Sequence, residues 1–103
     1  MNFLTVDTFH QEIAKGGIKL VTFVNPGCQV CAIVYPNVEE AVAQYPDKLA
    51  LYRVDAKADK PLMEEFSLNG VPQVLFFKEG RYIGKMAGPQ DVEDYLKKIE
   101  EII

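Results

Sequence analysis

Apolar residues in this chain fall into short runs with two different periods. Ile18 to Val24 is nearly all apolar and rich in β-branched residues, which predicts a central strand covered on both faces. Leu49 to Val54 predicts a second such strand and Gln73 to Phe77 a third. Lys78-Glu79-Gly80 then links the third to Arg81–Gly84 as a hairpin. Phe3 to Val6 is a weaker strand candidate at the start. Between these runs the spacing turns helical. Asp7 can cap a first helix with Phe9, Ile13 and Ala14 on its apolar face, ended by Gly16-Gly17. The helix from Cys28 carries Val30, Ile33, Val34, Val38, Ala41, Val42 and Tyr45, with Pro36 inside it as a predicted kink. Pro61 to Phe66 reads as a short helix with proline in its first turn. Gly88-Pro89 opens a last helix whose Val92, Leu96, Ile99 and Ile103 form one stripe. The expected order is β-α-β-α-β-α-β-β-α: an α/β protein with a central mixed β-sheet flanked by helices, parallel where helices connect strands and antiparallel at the hairpin.

The 103 residues suit a single domain over positions 1–103, with 49% hydrophobic and 25% charged residues. A net charge of −4 and the lack of any basic cluster argue against a nucleic-acid partner. No segment reaches the roughly 18 apolar residues that cross a bilayer, so no membrane partner is expected. The stretch Met1-Asn2-Phe3-Leu4-Thr5-Val6-Asp7 lacks the basic and apolar regions of a signal peptide. A cytoplasmic location is the resulting expectation, and there a persistent structural disulfide is unusual.

The chemistry concentrates at Cys28-Gln29-Val30-Cys31, which holds the only two cysteines. Asn25-Pro26-Gly27 breaks the preceding strand, so Cys28 falls in the first turn of a helix. Unpaired N–H groups and the positive end of the macrodipole there favour the thiolate, the form that attacks disulfides. Cys31, about one turn on, is close enough to close a disulfide onto Cys28. Three other readings compete. A structural disulfide over so short a loop contributes only about 2 kcal/mol by chain entropy. Two inert core thiols fit poorly at a strand-to-helix junction. A metal or cluster would need four ligands, hence two chains, since His10 is the only histidine and lies on another helix. No resident metal or cofactor is expected.

The element order, the dithiol after the Ile18–Val24 strand and Gly70-Val71-Pro72 before the Gln73–Phe77 strand together resemble thioredoxin over essentially the whole chain. Pro36 five residues after Cys31, Pro72 forty-one after it, Gly80 and Gly88 all fall at the family's spacing. The resemblance implies the thioredoxin fold. It implies a cis bond before Pro72, and it implies that Val71 offers its backbone to an extended substrate segment, with Gly88 nearby. Read alone, Pro72 could be an ordinary trans proline and Gly88 no more than a turn. The departures are specific. Gly27 replaces the family's tryptophan, Gln29-Val30 replace its Gly-Pro pair, Thr22 stands where it buries an aspartate, and Arg53 occupies its lysine position. A threonine hydroxyl cannot serve as a base near neutral pH, so the Cys31 proton needs another route, water being one.

The expected function is therefore a monomeric thiol–disulfide oxidoreductase. Cys28 attacks a protein disulfide, Cys31 resolves the mixed disulfide, Val71, Pro72 and Gly88 hold the substrate, and a reductase or small thiol recycles the dithiol. The alternative is a thioredoxin-fold binding or adapter module that uses the same groove with little turnover. Arg53 reads as a solvated or snorkelling side chain and His10 as a surface residue. Glu39-Glu40 and Glu100-Glu101 read as solvated helix faces, and Tyr35, Tyr45, Tyr52, Phe76 and Phe77 as core or core-edge aromatics.

Overall fold

Ile18–Val24 (β1) is the strand on which the sheet is assembled, as its apolar run requires. It pairs in parallel with Leu49–Asp55 (β2), with Ile18 opposite Leu49 and Thr22 opposite Arg53. On its other side it pairs antiparallel with Gln73–Lys78 (β3), with Thr22 opposite Val74. The hairpin then adds Arg81–Ala87 (β4), giving the order β2-β1-β3-β4. The computed structural model describes residues 3–103.

Helices cover both faces, and strand alternation decides which residue meets which helix. Phe9–Ala14 (α1) and Lys60–Glu65 (α3) lie on one side, where Phe9, Ile13, Val21, Phe23, Tyr52, Val54, Leu62, Leu75 and Phe77 form one cluster. Gln29–Ala43 (α2) and Val92–Ile102 (α4) cover the other, packing Val34, Val38 and Ala41 against Leu20, Val74, Phe76, Tyr95 and Ile99. The last helix starts later than Gly88-Pro89 suggests. Asp91 caps it in a reciprocal box with Asp94, which satisfies two N–H groups that a start at Pro89 would leave open.

The α/β architecture stands as expected, and the leading strand is pared to one residue. Phe3 makes a single parallel bridge to Arg53, and the Leu4 N–H donates to the Arg53 carbonyl at 2.8 Å. The reason is local. The Thr5 N–H donates to Thr8 Oγ1 at 2.9 Å, and the Thr5 carbonyl accepts from the N–H groups of Thr8 and Phe9. The chain has thus turned helical before a strand can extend. Thr8, not Asp7, occupies the N-cap of α1. Lys19 is the polar exception in β1. It is buried, with its ammonium donating to the Glu12 carbonyl, while Glu12 Oε1 accepts from the Tyr52 hydroxyl at 2.9 Å.

Two tyrosines carry a pH dependence. Burial pushes Tyr95 up to about 12, with the Asp94 charge adding to it, and its hydroxyl is buried without a partner. Burial, then the hydrogen bond to Glu12 and its charge, push Tyr52 up to about 12 as well. Both groups are therefore held neutral by the fold. Their contribution to stability is complete below the unfolded tyrosine pKa of about 10. It is lost as pH rises through the folded value near 12. Tyr95→Phe removes the orphaned hydroxyl and is expected to raise stability in urea at neutral pH by about 1 kcal/mol. It is also expected to flatten the alkaline loss, and a less stable variant would contradict the account.

Candidate active site

Strand β1 delivers the chain to Asn25-Pro26-Gly27, where Gly27 adopts φ 77°, the left-handed region that glycine enters without steric cost. Cys28 follows in extended conformation, φ −76° and ψ 111°, as the N-cap of α2. It stands one position ahead of the first-turn placement expected from the sequence. At the N-cap a side-chain acceptor reaches the N–H groups of the first turn, and Cys28 Sγ accepts from the Cys31 N–H at 3.1 Å. The cap is therefore sulfur, in the place where serine or aspartate usually puts oxygen. The two cysteines form a disulfide with their Cα atoms 5.2 Å apart. Cys28 is half-buried, whereas Cys31 is only 5% exposed. Opening the bond leaves Cys28 as the reachable sulfur, facing a donor N–H and the positive end of a 15-residue helix. Gln29 and Val30 point to solvent and add no charge.

The second component is the loop before β3. The Val71–Pro72 bond is cis, with Pro72 buried and Val71 half-buried. Continuing the β1–β3 register places Val71 across from Asn25, on the path into the dithiol loop. The Gly88 N–H donates to the Pro72 carbonyl at 3.0 Å, so Pro72 and Gly88 are joined directly. Gly88 is required for its φ of 72°; a Cβ there would meet nothing within 4 Å, so close approach is not the constraint within this chain. Among the described residues no other group bonds to the Val71 N–H or carbonyl. The structure thus gathers Val71, Pro72 and Gly88 at the end of the sheet where β1 sends the chain to Cys28. Two open clefts flank this end. One, of about 450 Å³, is lined by Asn25, Lys57, Lys60, Asn69 and Val71 among others. The other, of about 520 Å³, contains Cys28, Cys31, Tyr35, Glu39 and Arg53.

Arg53 is the residue that sequence reasoning set aside. It is half-buried on β2, with its guanidinium carbon 3.9 Å from the Tyr35 ring centroid and 5.1 Å from that of Phe3. Its partner across the parallel register is Thr22, which is fully buried and whose Oγ1 has no hydrogen-bond partner. Burial holds the Tyr35 hydroxyl above its ordinary pKa, against the lowering effect of the Arg53 charge. The sequence carried a usable signal: Thr22 and Arg53 stand at the family's acid and lysine positions, which predicts that they are neighbours. Of the other residues read from sequence, His10 is exposed and pairs with Glu65 at 2.9 Å, and Glu39 reaches the edge of the dithiol cleft.

Comparison with known proteins agrees with this geometry. A family model described as Thioredoxin matches residues 1–101. The chain is similar to a protein disulfide-isomerase of Zea mays, 33% identical over 104 residues that cover 92% of this chain and 20% of the maize protein. It is also similar to thioredoxin 1 of Synechococcus elongatus, 29% identical over 86 residues, covering 82% of this chain and 80% of that one. Thioredoxin of Staphylococcus haemolyticus is 25% identical over 95 residues, covering 92% and 91%. The chain spans a fifth of the length of the maize relative and most of the length of the two thioredoxins.

The unequal exposure of the two sulfurs gives a direct test. After reduction, iodoacetamide is expected to alkylate Cys28 at least about tenfold faster than Cys31, because thiolate character and access both favour it. Peptide mass spectrometry reads the ratio, and equal labelling would contradict the assignment.

Proposed function

Because the chain belongs to the thioredoxin family, we propose that it is a thiol–disulfide oxidoreductase that reduces protein disulfides. The observation that carries this reading is the capping contact. The half-exposed Cys28 sulfur takes the Cys31 N–H at the start of α2, while its disulfide partner is buried. An unperturbed thiol of pKa about 8.5 is roughly 3% ionised at neutral pH, whereas one near 7 is about half ionised. Stabilisation at the helix start therefore changes the nucleophile's concentration by about an order of magnitude.

In the proposed reaction the Cys28 thiolate attacks one sulfur of a substrate disulfide. A mixed disulfide forms and the other substrate sulfur leaves as thiolate. The Cys31 thiolate then attacks Cys28 Sγ, re-forming the intramolecular bond and releasing the second substrate sulfur. The substrate gains two electrons and the chain loses two; a reductase or small thiol returns them. The unbonded Val71 backbone supports a short strand-like pairing with the substrate segment. Val30 and Ile33, 40% and 62% exposed on the first turns of α2, offer apolar contact beside the reacting sulfur.

With a protein disulfide as substrate, Cys28→Ser is expected to lower turnover at least about a thousandfold, the loss typical of removing a nucleophile that acts as part of a unit. Cys31→Ser is expected to accumulate a covalent substrate adduct through Cys28, visible by mass and released by added thiol. Turnover of Cys31→Ser at the parent rate would refute the resolving role. Partner capture by the chain lacking both cysteines, together with no turnover by the parent, would favour a binding module.

A further inference from the structure

The proton on Cys31 poses the question. Burial of a thiol at 5% exposure disfavours its thiolate, yet resolution of the mixed disulfide needs that thiolate. Thr22 stands where the family buries an acid, and it is fully enclosed and unable to ionise near neutral pH. The side chain opposite it in the β1–β2 register is Arg53, and Arg53 shares the cleft that Cys31 walls. We infer that Arg53 is the positioning residue for the Cys31 thiolate. Its fixed positive charge in that cleft favours ionisation of the resolving sulfur, so that the proton departs to cleft water without a side-chain base. The inference deepens the oxidoreductase reading above and rests on it.

Three observations support a fixed charge. The guanidinium is stacked 3.9 Å from the Tyr35 ring and faces Phe3 on its other contact at 5.1 Å, so it cannot swing freely into solvent. Its Nε is buried with no hydrogen-bond partner. Among the described residues Arg53 enters no ion pair.

The remaining charged or titratable groups around Cys31 do not compete. On α2, Tyr35 stays neutral because burial raises its pKa, and Glu39, exposed at the cleft edge two turns beyond Cys31, acts on the Tyr35 hydroxyl more weakly than Arg53 does. On β2, Asp55 turns its Oδ1 to the N–H groups of Lys57 and Ala58 at 2.9 and 3.0 Å. Asn25 and Thr22 do not titrate. An opposite charge near a thiol in a partly dry site favours the charged form, typically by about one to three pKa units. The step then balances simply. Cys31–SH loses its proton to water, the thiolate attacks Cys28 Sγ, the Cys28–substrate bond breaks, and the departing substrate thiolate takes a proton from solvent.

The test isolates Cys31 as the lone thiol in Cys28→Ser and follows its ¹³Cβ shift against pH, with Arg53→Gln and Arg53→Lys made in the same background. Arg53→Gln is expected to raise the Cys31 pKa by at least about one unit, and Arg53→Lys to retain most of the parent value. In the two-cysteine chain, Arg53→Gln should move the pH profile of mixed-disulfide resolution alkaline by the same amount, about tenfold slower at neutral pH. Should the glutamine variant not fold, Arg53→Met keeps the apolar packing and gives the same reading. A Cys31 titration unmoved by Gln or Met, or moved as far by Lys, overturns the role of Arg53. If disulfide reduction persists in that case, the oxidoreductase reading stands alone. A shifted titration in a chain that reduces no protein disulfide supports the role of Arg53 and overturns the reading.

Discussion

A sulfur atom caps the second helix, and the rest of the site depends on that contact. The N–H groups at the start of α2 need acceptors, and Cys28 Sγ supplies one to Cys31. The same contact turns the helix start toward the sulfur of the more exposed cysteine, while Cys31 is covered. It requires β1 to end at Val24 and Gly27 to take a left-handed turn. It also requires α2 to be anchored along Val34, Val38 and Ala41 against the sheet. Asn37 adds a tie, donating to the Gln90 carbonyl at 3.0 Å and fixing α2 to the loop before α4. A structural need, satisfying the helix end, and a chemical one, stabilising sulfur charge, are thus met by the same atoms.

Around this centre the sheet register does the positioning. Antiparallel pairing of β1 with β3 brings the Val71–Pro72 segment to the loop that holds Cys28, and the Gly88 bond to Pro72 ties β4's end to the same place. Parallel pairing of β1 with β2 sets Arg53 opposite Thr22, in the cleft that also contains Cys28 and Cys31. The candidate site is assembled from three loops and one strand residue, none near another in sequence, because a single central strand is shared by both pairings.

Much of this was legible in the chain. Ile18–Val24 needed only its apolar run to be read as the central strand, and the cysteine pair only its spacing to be read as able to close a disulfide. What escaped has physical reasons. Phe3 to Val6 has strand-like composition, but the Thr5 and Thr8 side chains close a turn whose hydrogen bonds win over a ladder. The last helix begins at Val92 because Asp91 and Asp94 cap each other, a reciprocal pattern overshadowed by the Gly-Pro signal before it. Arg53 was read as a snorkelling cation because an arginine in isolation usually is one. Its placement emerges only when the register sets it against Thr22 and the helix packing sets Tyr35 over it. The cis bond at Pro72 came from the family pattern; neither composition nor periodicity carries it.

The central claim is that Cys28 and Cys31 form a working redox couple and not a structural staple. Equilibrating the chain in graded thiol–disulfide buffers, trapping the thiols and weighing the products tests it most directly. The account predicts one reversible two-electron transition with a midpoint above about −300 mV, in the range of labile and catalytic disulfides. A bond that does not exchange, or one that yields only well below that potential, would contradict it.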